Sequence, residues 1–358
     1  MLHIYGAGLA GLSAAITLAR KGHAVTVHEK EERVGGCPGC TPSVHMTPLD
    51  FVRMEQYLGF DVQPCFSPLE AFTAYVYGKK VQLSPQGLYV VQRGAGPTSL
   101  DSLLYQLAVE ARVEVVFSDS LEPGMLSSVP EGSLIAVGTY SGLMDALGIR
   151  FSPFIHYDTK GPMSGKQKRC VAYFESYVAG YKYGYVAVKD GCASAEVDLL
   201  VTQPYQEDLR CFQRMILETE GFSFESWEVV EDAMPREVSW CRRVAGKSLV
   251  LAGALAGFHD PLFGFGVNSA LVSGRIAAET MVSKKKGYEE FKRFSGRLQL
   301  MFLLSRVYMH LPLRDRLVPW LFQPSGRLIP FVGKNFQSIP GFVPAECFKI
   351  EKVENCKY

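Results

Sequence analysis

A glycine-rich turn near the start of this 358-residue chain constrains its fold more than any other feature. An apolar stretch at 2–5, typical of a short strand, leads into the run Gly6-Ala7-Gly8-Leu9-Ala10-Gly11. Small and apolar residues then predict a helix over 12–21, and a second apolar strand at 24–28 ends before Glu29. Glycines at these positions permit a tight turn and close packing of the helix on the strand. The pattern therefore predicts a βαβ unit with parallel strands.

In that context, the turn has the fingerprint of a Rossmann-type dinucleotide site. The N-terminus of the helix offers N–H groups and a positive dipole to a pyrophosphate. Glu29 lies about 20 residues beyond the glycines, where a carboxylate can accept hydrogen bonds from a ribose. A turn that merely joins a strand to a helix would not require that acid. The residues expected to contact the nucleotide are Gly6, Gly8, Leu9, Ala10, Gly11 and Glu29.

The composition narrows the class of protein. At about 150 residues per domain, the length predicts about two domains. The 37 Lys and Arg residues against 36 Asp and Glu leave a net charge of +1, which argues against a nucleic-acid binder that neutralises phosphates. Nine cysteines, an odd number, favour reduced thiols and a cytoplasmic location over a secreted disulfide framework. The uncharged stretch 1–19 has no basic segment before it, so we do not interpret it as a signal peptide or a membrane anchor. We expect a soluble protein.

The residues after Glu29 distinguish between the nucleotides that such folds bind. The run Lys30-Glu31-Glu32-Arg33-Val34-Gly35-Gly36 resembles the second glycine element of the large FAD-dependent oxidoreductase superfamily, where a short basic linker and a glycine pair follow the acid. The resemblance implies FAD rather than NAD as the tightly bound nucleotide, with Arg33 near the pyrophosphate. It adds Lys30, Arg33, Gly35 and Gly36 to the expected cofactor residues.

A block far along the chain is similar to the C-terminal FAD motif of aromatic hydroxylases and geranylgeranyl reductases. An apolar strand at 247–253 is followed by a loop whose Asp-Pro-x-x-Gly-x-Gly core is closest to the reductases, and then by a helix of small residues at 269–280. In these relatives the segment lies against the isoalloxazine and ribityl parts of FAD. A helix that begins near Val267 can also stabilise the anionic edge of reduced flavin. The resemblance implies a cofactor role for Gly253, Ala254, Asp260, Pro261, Gly264, Gly266, Val267 and Asn268.

One position departs from that motif. Ala254 stands where family members usually carry an acid that binds the ribityl chain. Loss of such a hydrogen bond would weaken binding by about 1.5–3 kcal/mol. A cofactor-depleted binding protein of the same fold therefore stays open as an alternative.

Two intermediate elements extend the predicted cofactor site. Arg93 ends a predicted strand and is similar to the arginine that lies near the flavin in the superfamily, although its gap to Asp101 is longer than the family pattern. Asp101 or Ser99 can also be explained as a helix N-cap. Gly138 follows a predicted strand at 134–137 and is expected to approach the adenosine end.

These elements define a discontinuous α/β architecture. A Rossmann-like FAD-binding domain is predicted from 1–148 and 247–286. Strands rich in Tyr and Val predict an inserted substrate domain of mixed or antiparallel sheet at 149–246. The remainder, 287–358, is predicted to be a C-terminal helical region, with an amphipathic helix over 288–321 that packs on the core or rests peripherally on a membrane.

Several side chains are candidates for the chemistry. The strand at 181–191 loosely resembles the aromatic substrate strand of geranylgeranyl reductases, which implicates Tyr183 and Tyr185. Cys37 or Cys40 matches a flavin-facing cysteine of that family, while a redox disulfide and ordinary buried thiols are the alternatives. A metal site is not expected, because the pair lacks two further ligands. His259 is a second candidate for the proton donor, because it adjoins the Asp-Pro loop.

The function implied by the resemblance is an FAD-dependent oxidoreductase. We expect reduction of carbon–carbon double bonds in an apolar small molecule such as an isoprenoid, by hydride transfer from flavin N5. The alternative is a flavin-dependent monooxygenase that hydroxylates an aromatic or polyketide substrate. There is no second Gly-x-Gly-x-x-Gly unit, so NAD(P)H or a protein electron donor is expected to act only transiently as reductant.

Overall fold

The computed structural model describes residues 1–36, 43–76, 78–174, 182–199, 206–261 and 264–309. Within these ranges the helices are α1 (Leu9–Arg20), α2 (Phe51–Leu58), α3 (Leu100–Glu110), α4 (Ser141–Ala146), α5 (Gln206–Glu220), α6 (Val267–Val282) and α7 (Lys284–Met309). The strands are β1 (Leu2–Tyr5), β2 (Val25–His28), β3 (Ser43–Pro48), β4 (Phe66–Pro68), β5 (Ala71–Val76), β6 (Lys79–Leu83), β7 (Leu88–Arg93), β8 (Glu114–Val116), β9 (Leu134–Ile135), β10 (Phe151–Pro162), β11 (Lys168–Phe174), β12 (Lys182–Lys189), β13 (Cys192–Leu199), β14 (Glu228–Pro235), β15 (Cys241–Val244) and β16 (Lys247–Leu251).

The predicted βαβ unit forms the centre of the first sheet. Its strand order is β15-β16-β9-β1-β2-β8, and β1 pairs in parallel with both β2 and β9. Helix α1 begins at Leu9, three residues before the predicted start, because Gly8 itself is the N-cap. Small residues along α1 are fully buried, which allows the helix to lie close to the sheet.

The second sheet has seven strands in the order β14-β10-β13-β12-β11-β5-β6. All neighbouring strands are antiparallel except β11 and β5. Helix α5 covers one face, where the Phe212 ring takes the space that a side chain at Gly184 would need. The other face packs on a small sheet, β3-β7-β4, and the Ser194 hydroxyl accepts a hydrogen bond from the Val44 N–H at 2.8 Å. The antiparallel insert predicted from the Tyr- and Val-rich stretch is therefore present.

The sheet pairing crosses the predicted division of the chain at two places. Strands β5 and β6 lie within the stretch assigned to the nucleotide domain, but β5 pairs with β11 and extends the second sheet. Strand β15 lies in the stretch assigned to the insert, yet it pairs with β16 at the edge of the first sheet. Both pairings depend on register between distant segments, which local patterning does not reveal.

Helix α7 packs on α6, as the core-packing interpretation of its apolar positions predicted. Its buried side chains are Phe291, Phe294, Leu298, Met301 and Phe302, whereas Leu304 and Val307 are exposed. The rest of the predicted helix, up to 321, lies outside the described residues. In the described part of the chain, no helix combines the length and apolar character needed to cross a membrane.

The close approach of α1 and α6 gives a test of the packing. A methyl group at Gly274 would lie 2.3 Å from the Ala10 carbonyl oxygen, so Gly274→Ala forces the helices apart. We expect the free energy of unfolding to fall by about 1–3 kcal/mol in urea denaturation. Gly296→Ala in α7 meets no neighbouring atom and is the matched control, expected to be neutral or slightly stabilising. Equal effects of the two substitutions would show that the helix contact is not tight.

Candidate functional site

A cavity of about 590 Å³ lies at the carboxyl ends of the parallel strands in the first sheet. In α/β sheets, ligands bind in the crevice at this edge. The lining comes from the ends of β1, β2, β9 and β16, and from the first turn of α1. It brings together these residues of the predicted cofactor site: Gly6, Gly8, Leu9, Ala10, Glu29, Lys30, Gly35, Gly36, Arg93, Gly138, Gly253, Ala254 and Gly266.

The glycines at this site have two different roles. A Cβ at Gly11 would lie 1.9 Å from the Gly6 carbonyl oxygen, so Gly11 packs inside the turn and is not in the cavity lining. Gly8, Gly36 and Gly138 line the cavity, and a Cβ at any of them would meet no protein atom within 4 Å. The space that these three glycines leave open forms a cradle in which a ligand can approach the backbone.

Glu29 fixes the geometry of the turn. One carboxylate oxygen accepts a hydrogen bond from the Ala7 N–H at 2.6 Å, and the other accepts one from the Glu31 N–H at 3.0 Å. The side chain is buried, yet it lines the cavity. Because each carboxylate oxygen has further lone pairs, Glu29 can also accept hydrogen bonds from a ribose.

Arg93 enters the same cavity in a buried ion pair. Its Nε and a terminal nitrogen donate to the two oxygens of Asp101 at 2.7 and 2.9 Å, and the Gly94 N–H donates to Asp101 at 2.9 Å. Burial alone would raise the pKa of the Asp101 carboxyl, but the charge and hydrogen bonds of Arg93 hold it below its usual value. Ser99 is the N-cap of α3, so the capping explanation applies to Ser99 and not to Asp101.

The second glycine element supports this arrangement. A Cβ at Gly35 would lie 2.3 Å from the carbonyl carbon of Gly94, so the backbone after Arg93 rests directly on the glycine pair. Arg33, by contrast, is exposed and does not line the cavity. The basic linker therefore contributes Lys30 to the lining rather than Arg33.

The Asp-Pro loop separates this cavity from a smaller one of about 290 Å³. Gly266 lines both cavities, while Gly264 and Val267 line the smaller one. Asp260 and Asn268 line neither and hold the loop in place. The Asp260 N–H donates to the Phe265 carbonyl at 2.9 Å, and the Asn268 amide donates to the Pro48 carbonyl. Pro261, in the same loop, also lines neither cavity. Its carbonyl accepts a hydrogen bond from the Ser305 hydroxyl at 3.3 Å.

The smaller cavity, which we call the chamber, is not lined only by apolar groups. Tyr183 and Tyr185, the two candidates on the predicted substrate strand, line it together with Met46, Cys170 and Phe265. One side also carries the ionisable residues His45, His156, Asp158 and Glu196, which sequence reasoning missed. The available signal was the alternate spacing of His156 and Asp158 in β10, but only the strand register brings Glu196 opposite Asp158.

The other predicted candidates are His259, Cys37 and Cys40. Cys37 and Cys40 are outside the described residues. His259 is buried, lines neither cavity, and packs edge-on against the Phe302 ring. Burial lowers the pKa of His259 to about 4, so its imidazole is neutral near pH 7 and carries no acidic proton to donate. Among the described residues, no His, Cys, Asp and Glu cluster is arranged to hold a metal ion.

Comparisons with known proteins agree with this architecture. The profile of the NAD(P)-binding Rossmann-like domain matches residues 4–43. The flavin-containing monooxygenase FMO GS-OX-like 6 of Arabidopsis thaliana is 54% identical over 41 residues, which are 12% of this chain and 9% of that protein.

Two solved structures resemble nearly the whole chain. A geranylgeranyl bacteriochlorophyll reductase-like protein of Thermoplasma acidophilum has a TM-score of 0.68 at 15% identity, over 97% of this chain and 94% of its own. The p-nitrophenol 4-monooxygenase of Pseudomonas putida has a TM-score of 0.62 at 15% identity, over 95% and 98%. The chain therefore shares the overall fold of these two proteins, one reductase-like and one a monooxygenase.

The Arg93–Asp101 pair predicts a pH-dependent loss of stability. Asp101→Asn leaves a largely buried guanidinium without its counter-charge, so the free energy of unfolding should fall by about 3 kcal/mol at pH 7. Because the folded pKa of Asp101 is lowered, this stabilisation is present above the usual value of 3.8 and is lost as the pH falls through the folded value.

Denaturation of both proteins at pH 7 and near pH 3 measures the difference. The control Arg53→Met removes an exposed pair with Asp50 and should cost less than about 1 kcal/mol. A deficit in Asp101→Asn that is the same at both pH values would contradict the proposed charge pairing.

Proposed function

We propose that the protein is an FAD-dependent oxidoreductase that holds FAD in the larger cavity and its substrate in the chamber. The observation that carries this proposal is the wall between the two spaces. Gly266 faces both cavities, and it lies in the loop that resembles the flavin-contacting motif of the superfamily. A flavin ring at this wall would have its nucleotide end in the larger cavity and its reactive edge next to the chamber.

The cavity residues fit such a cofactor. The first-turn N–H groups at Leu9 and Ala10 have no partners within their own helix and can bind the pyrophosphate. Glu29 can bind a ribose, and Arg93, which Asp101 holds in place, can donate hydrogen bonds to the cofactor on the flavin side. Helix α6 begins at Val267, so its dipole favours negative charge on an adjacent ring. Ala254 lines the cavity without an acid, which predicts weaker retention of FAD than in its relatives.

Reduction of a carbon–carbon double bond is the reaction that the chamber supports best. When bound and reduced, FAD supplies a hydride, and NAD(P)H or a protein donor restores its electrons. Such a reduction also needs a proton from the protein, and the chamber holds several groups that can provide one. The mixed lining favours a substrate with an apolar body and an uncharged polar end, such as an isoprenoid alcohol. A diphosphate end would meet the acidic side of the chamber unfavourably.

FAD binding can be tested by filling the cradle. Gly8→Val projects a side chain into the space next to the α1 N-terminus, from a position where a Cβ has no protein atom within 4 Å. We expect FAD affinity to fall by about 100-fold or more, measured by fluorescence titration, while circular dichroism stays unchanged. Gly124→Val, a glycine with the same open surroundings outside the cavity lining, should bind FAD normally. Equal affinity of the Gly8 variant and the parent would contradict the pyrophosphate position.

The reaction can be tested with two probes. The FAD-loaded protein, reduced with dithionite without oxygen, should convert geranylgeraniol to a product with two additional hydrogens. In heavy water both should be deuterium, because dithionite supplies only electrons and the N5 hydrogen of reduced flavin comes from the solvent; mass spectrometry would reveal the two added deuterium atoms. Oxygen consumption with hydroxylation of p-nitrophenol, and no reduction of geranylgeraniol, would instead identify a monooxygenase. A protein that fails to bind added FAD would contradict both reactions.

A further inference from the structure

Three ionisable side chains stand opposite one another on adjacent strands of the chamber wall. Asp158 in β10 pairs directly with Glu196 in β13, and Glu196 pairs directly with Tyr185 in β12. Directly opposite residues have their Cβ atoms about 4.5–5.5 Å apart and share one face of the sheet. All three line the chamber. Two carboxyl groups therefore face the substrate space side by side.

A hydrogen-bond chain leads from Ser43 through His45 and Tyr185 to the Glu196 carboxyl. The Tyr185 hydroxyl donates to a Glu196 oxygen at 2.9 Å and lies 3.2 Å from His45 Nδ1. On the far side of the ring, His45 Nε2 is 2.8 Å from the Ser43 hydroxyl. With Ser43 donating to Nε2, His45 donates to Tyr185 and Tyr185 donates to Glu196. This arrangement satisfies every contact with a neutral imidazole and with Glu196 as the acceptor at the end of the chain.

The charges around the chain agree with that assignment. Burial and the nearby Arg93 guanidinium lower the pKa of His45 to about 4, so the ring is neutral at pH 7. Burial and the Glu196 carboxylate raise the pKa of Tyr185 well above its ordinary value, so the hydroxyl keeps its proton. The Glu196 carboxylate that accepts this hydrogen bond lies directly opposite Asp158.

The Glu196 carboxylate and the other groups around Asp158 shift the pKa of its carboxyl. Burial and Glu196 raise the pKa of the Asp158 carboxyl to about 6. The other charged groups that face it are Lys160 and His156 on its own strand, which lower the pKa, and Glu228 on β14, which raises it. Two carboxylates in one site cannot both ionise without mutual repulsion, so Asp158 keeps its proton up to about pH 6, well above the range of an exposed aspartate.

We propose that Asp158 is the proton donor of the chamber and that Glu196 and Tyr185 are its positioning residues. This inference rests on the proposed reductase function. The hydride from reduced flavin forms a C–H bond at one alkene carbon, and the π electrons take the Asp158 proton to form the second C–H bond. The alkene is reduced, the flavin is oxidised, and the Asp158 carboxylate regains a proton from water. Asp158 therefore takes the proton-donor role for which the sequence suggested His259.

The first test needs neither flavin nor substrate. Infrared difference spectra of the apo-protein, recorded from pH 4 to 8, should contain a protonated carboxyl signal that disappears with a midpoint near 6. Asp158→Asn should remove this signal, and Glu196→Gln should move its midpoint to a lower pH. Asp232→Asn is the control, because Asp232 is another half-buried carboxyl of the same sheet, with a raised pKa, outside the chamber lining. A midpoint near 6 that persists in Asp158→Asn would overturn the assignment.

The second test uses the FAD-loaded, reduced protein with geranylgeraniol. Asp158→Asn should slow the single-turnover reoxidation of flavin by about 100-fold at pH 6 and leave FAD affinity unchanged, whereas Asp232→Asn should match the parent. The parent rate should fall with rising pH above about 6, as Asp158 loses its proton. Unchanged reoxidation in Asp158→Asn would overturn the inference while leaving the reductase proposal intact. No reoxidation in the parent would instead count against the proposed function. The infrared titration does not depend on that function, so it still tests the protonation of Asp158.

Discussion

The contact between α1 and α6 is the constraint on which the nucleotide-binding side of the molecule depends. Gly274 lets the backbone of α6 meet the backbone of α1 at Ala10, which belongs to the glycine-rich turn. The adjacent Ser273 hydroxyl accepts a hydrogen bond from the Gly253 N–H at 2.9 Å, so the same helix also holds the end of β16. One pair of helices thus brings segments from opposite parts of the chain to the edge of a single sheet. The larger cavity exists because these segments meet there.

The second sheet adds the chamber. Its seven strands carry an aromatic core under α5 on one face, while the other face meets the small sheet and the Asp-Pro loop. Hydrogen bonds of Asp260 and Asn268 fix the loop on the side away from the cavities, and Gly264 and Gly266 line the chamber. The motif residues therefore divide into a group that shapes the loop and a group that lines the site. Strands β3 and β7 connect the spaces, since β7 ends at Arg93 and β3 presents His45.

Local patterns allowed the βαβ unit, the loop at 254–268 and the helix after it to be predicted from sequence. Glycine spacing and apolar runs are properties of short segments, and these elements lie within a few residues of the predicted bounds. The pairing of Ala71–Val76 with β11 and the Asp158–Glu196 pair could not be found this way. Each depends on the register between distant strands. The polar wall of the chamber followed from that register, so the sequence alone suggested a more apolar space than the structure has.

A crystal structure of the protein grown with saturating FAD would test the central claim most directly. We predict that the pyrophosphate lies within hydrogen-bonding distance of the N–H groups of Leu9 and Ala10. The isoalloxazine ring should rest against Gly264 and Gly266, with one face toward the chamber. An empty larger cavity, or a flavin ring bound away from this loop, would contradict the account of two cavities that meet at one cofactor.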